Sequence, residues 1–442
     1  MIIKNFKELS TSEERRIVLE IIDAGIESVL PETVIKKSIR CRNETLTINN
    51  DEYALENRNI YVIGAGKAAG AMAEALENIL GDKIEYGVVN YKGGDFKTKR
   101  IKLNAAGHPI PTREGLNGVE EMLSIKDDLK PNDILICLIS GGGSALMPYP
   151  IDEVTFEDKQ MTNELLVNSG AKIQEINAVR KHISKVKGGR LAKHFSPNLM
   201  ISLVISDVVG DDIESIASGP TAYDSSTFKQ ACGILEKYEI LDKIPVGVRD
   251  YLKKGVKGNV KETPKKMQSN SKIYIIGSNK IALDAMGRKA TEFNLPYEIL
   301  TNREDREANE AARYWPSIIF NKQNGRPCLY LVGGETRTRP IPNKGKGGRN
   351  MHYATRSILE LSNLKGKWTI ASVGTDGSDF MDNVAGGIAD AHSLEIISQK
   401  GLNIEEHLEK YDTYNILRQI DGLIYTDDTG TNVGDIVVYL IT

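Results

Sequence analysis

The sequence lacks any apolar run long enough to cross a membrane. A membrane-spanning helix needs about 20 consecutive apolar residues, and the apolar runs of this chain are much shorter. The residues that follow Met1 predict a charged helix rather than a signal peptide. We therefore expect a cytoplasmic protein that has no membrane partner.

Cysteine is scarce, and neither sign of charge is in excess. The four cysteines are far apart and form no C-x-x-C pair, so the sequence indicates neither a zinc knuckle nor a thioredoxin-like redox site. The 57 lysines and arginines nearly balance the 60 aspartates and glutamates, and the net charge is −3. This balance gives no electrostatic reason to expect a nucleic-acid partner, so any anion site must be local.

A single core is also not expected, because domains typically hold about 100–200 residues and this chain has 442. Apolar strands that alternate with glycine turns and helices predict α/β domains with a mostly parallel sheet. Polar residues crowd 256–271, so we predict one domain over 1–260 and a second α/β domain over 271–442. In the first domain we predict a helix near 12–30 that packs on a sheet, and strands near 60–63, 86–90, 101–105, 134–139 and 199–205. In the second we predict strands near 273–276, 297–300, 328–332, 368–373 and 436–441, with helices that start near Asn279, Asp305, Gly348, Val384 and Thr413.

The most informative segment is an unbroken apolar strand over 134–139 that runs into a glycine turn. The turn consists of Ser140, Gly141, Gly142, Gly143 and Ser144. Glycines after a buried parallel strand can point backbone N–H groups at a phosphate, although a tight turn that binds nothing is the alternative. Similar turns follow other predicted strands at 64–70, 277–279, 333–336 and 374–377. Because ligands collect at the carboxyl ends of such strands, this set favours a polyanion site in a cleft between the domains.

A dinucleotide site is less well supported. The segment 64–69 resembles G-x-G-x-x-A, but no acidic residue follows Val89 to bind a ribose, and no Walker A motif occurs. What remains is Lys67 at the start of a helix, where the helix dipole favours anions. A solvated surface lysine is the alternative.

Three further segments carry candidate chemistry. Asp207 ends an apolar strand with Asp211 shortly after it, and this spacing suits Mg²⁺ bound with ATP, although Asp207 could instead cap a helix. Asp376 lies in a similar turn and is a rival for the metal or the general base. Arg349 ends a glycine and lysine stretch that begins at Asn343, and its planar guanidinium suits a carboxylate or phosphoryl group. An exposed basic loop is the alternative there. His108 and Arg180 are weaker candidates.

Motifs spread in order along nearly the whole chain resemble the glycerate 2-kinases of the MOFRL (DUF4147) type, some of which carried the label hydroxypyruvate reductase. They lie at 64–69, 106–111, 140–144, 176–182, 186–190, 206–211, 216–220, 333–336, 347–350, 374–377 and 430–433. The resemblance implies a Rossmann-like N-terminal domain, a distinct α/β MOFRL domain and an active site in the cleft between them. It also implies transfer of the γ-phosphoryl group of ATP, with Mg²⁺ as cofactor, to D-glycerate to give 2-phosphoglycerate. Lys67 and Arg349 correspond to the lysine and arginine of the family's proposed active site.

Together these observations give a complete set of expected site residues. Catalytic roles are expected of Lys67, Arg349, Asp207 and Asp376, and substrate binding of Lys67, Arg349, Arg180 and His108. Nucleotide binding is expected of Ser140, Gly141, Gly142, Gly143, Ser144, Gly333 and Glu335, and metal binding of Asp207 and Asp211. Small molecules are the expected partners, and a homodimer is kept as an option.

Two departures from the family pattern and two rival functions stay open. Met351 and His352 stand where the family usually has Gln-Glu, which puts a helper role for that acid in doubt, and an aromatic segment at 380–387 replaces a more usual loop. The rival functions are an NAD(P)H-dependent hydroxypyruvate reductase and a non-catalytic protein that binds a nucleotide or an organic acid.

Overall fold

A computed structural model describes residues 1–322, 325–342, 344–364 and 366–442. Within these residues the chain divides into two units. The N-terminal unit consists of Ile35–Ser206 and Asp211–Ile276, and the C-terminal unit of Met1–Val34, Asp207–Gly210 and Gly277–Thr442. Among the helices of the described residues, none is both long enough and apolar enough to cross a membrane.

The strands and helices are numbered along the chain. The strands are β1 (Ile39–Arg42), β2 (Thr45–Ile48), β3 (Asp51–Ala54), β4 (Ile60–Ala65), β5 (Ile84–Tyr91), β6 (Ile101–Ala105), β7 (Ile134–Ile139), β8 (Leu199–Ile205), β9 (Ser271–Gly277), β10 (Tyr297–Glu304), β11 (Cys328–Gly334), β12 (Trp368–Gly374), β13 (Val384–Asp390), β14 (Leu423–Tyr425) and β15 (Asp435–Ile441). The helices are α1 (Phe6–Leu9), α2 (Glu13–Glu27), α3 (Pro31–Ser38), α4 (Ala69–Leu80), α5 (Arg113–Ser124), α6 (Gly143–Leu146), α7 (Phe156–Asn168), α8 (Ile173–His182), α9 (Arg190–His194), α10 (Phe228–Lys237), α11 (Val246–Val256), α12 (Asn279–Glu292), α13 (Ala308–Lys322), α14 (Arg349–Leu361), α15 (Ser393–Gln399), α16 (Ile404–Glu409) and α17 (Thr413–Gln419).

The sheet of the N-terminal unit has the order β6-β5-β4-β7-β8-β9. The pairings from β6 to β8 are parallel, as the alternation of strands and helices predicts. Every residue of β4 and β7 is buried, because a central parallel strand is covered on both faces. The five strands predicted in this part of the sequence are confirmed.

The central strands β4 and β7 end at the same level. Ile60 is the register partner of Ile134, and Ala65 is the partner of Ile139. The loops that follow the two strands therefore begin side by side at the carboxyl edge of the sheet. Beside this edge, α7, α8, α10 and α11 build a second apolar core that includes Leu166, Val179 and Phe228.

The sheet of the C-terminal unit has the order β10-β11-β15-β12-β13-β14 and is mixed. β10 and β11 are parallel, whereas β15 runs antiparallel to both of its neighbours, β11 and β12. Asp435, the first residue of β15, is consequently the register partner of Gly334 at the end of β11 and of Gly374 at the end of β12. The antiparallel central strand thus brings its own first residue to the edge where its neighbours end.

Two predictions about the second domain are wrong. Residues 273–276 were predicted as its first strand, but β9 is the edge strand of the N-terminal sheet beside β8. A helix was predicted to start near Val384, but β13 is a strand that pairs antiparallel with β12 and β14. Gly386 and Gly387 lie within β13, and glycine is a poor helix former.

The predicted domain boundaries, 1–260 and 271–442, also differ from the two units. The predicted helix at 12–30 is present as α2, but it packs against α12, β12 and β15 of the C-terminal sheet. Val18, Leu19, Ile22 and Ile26 supply its buried face. The first 34 residues and the short segment Asp207–Gly210 therefore group with the C-terminal unit.

Candidate functional site

The two loops at the carboxyl edge of the N-terminal sheet are tied together by hydrogen bonds. The backbone N–H of Lys67 donates to the carbonyl oxygen of Gly141 at 2.8 Å, and that of Ala68 donates to Oγ of Ser140 at 3.0 Å. A Cβ atom at Gly66 would lie 2.0 Å from Oγ of Ser140, so only glycine permits this approach. Ser140 is buried and joins the loops, while Lys67 is carried at the surface of the junction.

The sequence-predicted residues Lys67 and His108 lie together at Gly142. Gly142 has a φ of 80°, and a Cβ atom there would lie 2.8 Å from Cδ2 of His108 and 3.1 Å from Cγ of Lys67. Burial lowers the pKa of His108, and the neighbouring charges of Lys67 and Lys92 lower it further. The glycine turn predicted from 140–144 is thus adjacent to two of the predicted substrate-binding side chains.

A cavity of about 220 Å³ opens beside this turn, between α7, α8 and the segment around His108. We call it the cation pocket. Its polar lining includes His108, Ser144, Lys159, Asn163, Arg180 and Lys187. The described residues that line it include no aspartate or glutamate. A cavity lined by several cations and no carboxylate is suited to bind an anion.

Burial weakens the charge of these cations. Lys159 is 7% exposed, and its pKa is lowered to about 7 by burial and then by Arg180 and Arg190. Burial lowers the pKa of Arg180 to about 10, and burial together with Lys159 and Arg180 lowers that of Lys187 well below its usual range. Nζ of Lys187 donates to the carbonyl oxygen of Ser144 at 2.9 Å, and Nε of Arg180 donates to Oδ1 of Asn163.

The C-terminal unit contains the predicted residue Arg349, held by a carboxylate that the sequence analysis missed. Nε of Arg349 lies 2.9 Å from both oxygens of Asp435. Asp435 also accepts from Nδ2 of Asn350 at 2.8 Å, and from the backbone N–H and Oγ1 of Thr336 at 3.0 and 3.1 Å. Asp435 therefore fixes the guanidinium, and its charge raises the pKa of Arg349.

A second missed carboxylate, Asp379, caps the helix that carries Arg349. Its two oxygens accept from the backbone N–H groups of Asn350 and Met351 at 3.1 and 2.7 Å. Gly348 precedes α14 and has no side chain with which to cap it. Burial raises the pKa of Asp379 to about 6, while the two N–H groups act in the opposite direction. Asn343, where the predicted basic stretch begins, lies outside the described residues.

Carboxylates crowd around Glu335, a predicted nucleotide-binding residue next to this site. Oε1 of Glu335 lies 3.6 Å from Nη2 of Arg349. Burial raises the pKa of Glu335, as do the negative charges of Asp435, Asp207 and Asp376, and Arg349 opposes them. The structure thus places Arg349, Glu335, Asp207 and Asp376 in one electrostatic neighbourhood.

The family resemblance implies Mg²⁺ as a cofactor, and these carboxylates are its candidate ligands. In the described parts of the chain, no group of three or more His, Cys, Asp or Glu residues is arranged to hold a metal. Mg²⁺ needs no such cage, because it takes one or two carboxylates and completes its shell with phosphate oxygens and water. Asp207, Asp376 and Glu335 fit that chemistry. Asp211 belongs to the other unit, so its pairing with Asp207 and the shared cleft stay predictions.

Two family models, several relatives and a solved structure match the chain. Residues 17–253 match the model of a domain of unknown function, DUF4147, and residues 328–435 match the MOFRL family. The chain is 39% identical to a glycerate 2-kinase of Pyrococcus horikoshii, over 97% of each chain. It is 35% identical to a D-glycerate 2-kinase of Thermotoga maritima, over 97% of this chain and 98% of the relative. The crystal structure of a Thermotoga maritima glycerate kinase has 35% identity, a TM-score of 0.85 and covers 97% of this chain and 99% of its own.

Proposed function

The chain belongs to the glycerate 2-kinases of the DUF4147 and MOFRL family, and we propose that it transfers the γ-phosphoryl group of ATP to D-glycerate, giving 2-phosphoglycerate and ADP. The observation that carries the proposal is the match to glycerate 2-kinases along 97% of the chain. Lys67 and Arg349 lie in the motifs at 64–69 and 347–350 through which the sequence resembles that family. The relatives' names supply the acceptor. ATP as donor and oxygen 2 as acceptor atom are our inference.

The reaction forms a bond between oxygen 2 of glycerate and the γ-phosphorus and breaks the bond from that phosphorus to the β–γ bridging oxygen. The proton of the 2-hydroxyl goes to a carboxylate, for which Asp207 is our first assignment and Asp376 our second. Such a transfer depends mainly on positioning and charge neutralisation, so fixed cations matter more than a nucleophile. Arg349, which Asp435 and the Asp379 cap hold in one orientation, meets that requirement.

The remaining roles follow from chemistry. Lys67 binds an anionic group of a substrate, and the glycine turn next to it, with Gly333 and Glu335 in the other unit, is assigned to the nucleotide. Mg²⁺ bound with ATP would neutralise charge on the β- and γ-phosphates. Of Asp207 and Asp376, the carboxylate that does not take the proton would hold the Mg²⁺, together with Glu335.

The test is ADP formation with D-glycerate and ATP. We expect Lys67→Ala and Arg349→Ala to lower kcat/KM by about 10²–10³, because each removes one electrostatic contact to the transition state. Lys83→Ala, which changes a partly exposed lysine paired with Glu44, is the matched control and should behave as the unchanged protein. Near-normal kcat/KM in both active-site variants would refute the assignment. Oxidation of NADH with hydroxypyruvate would instead identify the reductase.

A further inference from the structure

The cation pocket contains a buried lysine amine for which no described residue supplies a hydrogen-bond acceptor. Nζ of Lys159 is buried, and among the described residues it has no hydrogen-bond partner. An ammonium group without a partner in an apolar site is costly, because burial removes its hydration and nothing replaces it. A group outside the chain is therefore the natural partner of Lys159.

The basic residues around Lys159 favour an anion as that partner. The neighbouring basic residues are Arg180 on α8, Arg190 on α9 and Lys187 between those helices. His108 is a further basic residue in the lining of the pocket. Arg190 is itself turned to a protein partner, since its Nη1 donates to the carbonyl oxygen of Ser184 at 2.6 Å. One carboxylate placed between Lys159 and Arg180 would offset the repulsion among these cations and satisfy Nζ.

The size and walls of the pocket restrict the anion to a small acid. Drug-sized ligands usually occupy about 300–1,000 Å³, whereas this cavity measures about 220 Å³. Pro148, Phe156, Leu166 and Ile183 form apolar walls that exclude water and strengthen a charge pair. A nucleoside triphosphate is too large for this space, but a three-carbon hydroxy acid is not.

We propose that the cation pocket binds the carboxylate of the three-carbon acid acceptor, with Lys159 and Arg180 as its ligands and Lys159 as the residue that selects an acid over an alcohol. The proposal rests on the proposed function, because glycerate is the acid that the kinase would phosphorylate. His108 and Gly142, which lie next to Lys67, are among the residues that line the pocket. With its carboxylate between Lys159 and Arg180, the acid would have its hydroxyl end toward the glycine turn.

The experiment is calorimetric titration of the full chain with D-glycerate in the absence of nucleotide, so it does not depend on kinase activity. Glycerol, which lacks the carboxylate, and inorganic phosphate are the two comparison ligands. We expect D-glycerate to bind, glycerol not to bind, and Lys159→Met to weaken D-glycerate binding at least tenfold. Lys193→Met, an exposed lysine on α9, is the matched control and should bind as the unchanged chain does.

A second measurement distinguishes a Lys159 that binds the acid from a Lys159 that only supports the fold. At about pH 8 the anion should draw a proton onto Lys159, so titrations in buffers of different ionisation enthalpy should show proton uptake, which Lys159→Met abolishes. Binding of phosphate but not D-glycerate, or unchanged D-glycerate binding in Lys159→Met, would overturn the proposal. ADP formation measured on the same sample tests the proposed function separately: binding without turnover would count against the kinase and not against the pocket.

Discussion

Lys159 opposes folding when it is charged, because its amine is buried without a partner among the described residues. Its pKa is about 7 in the folded chain against 10.5 for an ordinary lysine. At pH values between these two pKa values, Lys159 is protonated in the unfolded chain and largely deprotonated in the folded chain. The free energy of unfolding therefore rises with pH across this range. Below pH 7 the buried ammonium destabilises the fold by its full amount, and above pH 10.5 it no longer does so, because the lysine is then neutral in both states.

This linkage predicts that Lys159→Met stabilises the ligand-free protein. We expect the free energy of unfolding to rise by about 1–3 kcal/mol near pH 6, since a methionine fills similar space without a charge to desolvate. The gain should shrink toward pH 10, where the wild-type lysine is neutral in the fold. Urea unfolding at the two pH values measures the difference. A loss of stability at both would mean that Lys159 holds the fold together.

At the scale of the element, α14 owes its first turn to a residue distant in sequence. Asp379 supplies the cap that Gly348 cannot, and Arg349 stands on that turn. We expect Asp379→Ala to lower the free energy of unfolding by about 1–2 kcal/mol through loss of the cap. It should also lower kcat with D-glycerate, because Arg349 loses its fixed direction.

The matched control for this cap is Asp382→Ala, an exposed aspartate in the same loop. It should leave both the stability and the rate as they are. Equal effects of the two variants would show that the loop as a whole, and not the cap, supports α14.

Two glycines, one in the junction of the β4 and β7 loops and one on α10, should change the stability in opposite directions when each is replaced by alanine. Gly66→Ala would bring a Cβ atom within 2.7 Å of the backbone nitrogen of Ser140, so it should cost about 1–3 kcal/mol of stability. Gly233→Ala lies on α10 with open space around it and should stabilise the protein by about 0.5–1 kcal/mol. Thermal unfolding compares them. A tolerated Gly66→Ala would show that the loops can separate.

The elements that the sequence predicts well are those whose signal is local. Unbroken apolar runs identified β4, β7 and β8, because a strand buried on both faces leaves no polar position. β13 was missed because its glycines erase that signal, and its strand conformation depends on β12 beside it. The sheet to which β9 belongs is likewise a matter of pairing, which its own residues do not encode.

The candidate site follows the same division. Lys67 and Arg349 were found because each follows glycine residues, Lys67 shortly before α4 and Arg349 as the first residue of α14. Asp379 and Asp435 were missed because their partners lie 29 and 86 residues away in sequence, as the contacts with Asn350 and Arg349 show. Lys159 looks like an ordinary surface lysine among the polar residues of α7, and only the structure shows it as buried and, among the described residues, without a hydrogen-bond partner.

At the scale of the whole molecule, each of the two units is built from segments that are separate in the sequence. The first 34 residues complete the C-terminal unit, because the apolar face of α2 covers β12 and β15 there. Neither half of the sequence, cut at the predicted boundary, contains a full unit. We therefore base the function on the entire chain, along which the glycerate 2-kinase relatives match.

The central claim is that this chain phosphorylates D-glycerate at oxygen 2 with ATP. Phosphorus NMR of the product made from D-glycerate, ATP and Mg²⁺ tests it most directly, because the coupling of the phosphorus to its neighbouring protons distinguishes the two positions. We predict a single new phosphomonoester coupled to the one proton of carbon 2, together with ADP. A phosphorus coupled to the two protons of carbon 3, or no new phosphomonoester, would contradict the account.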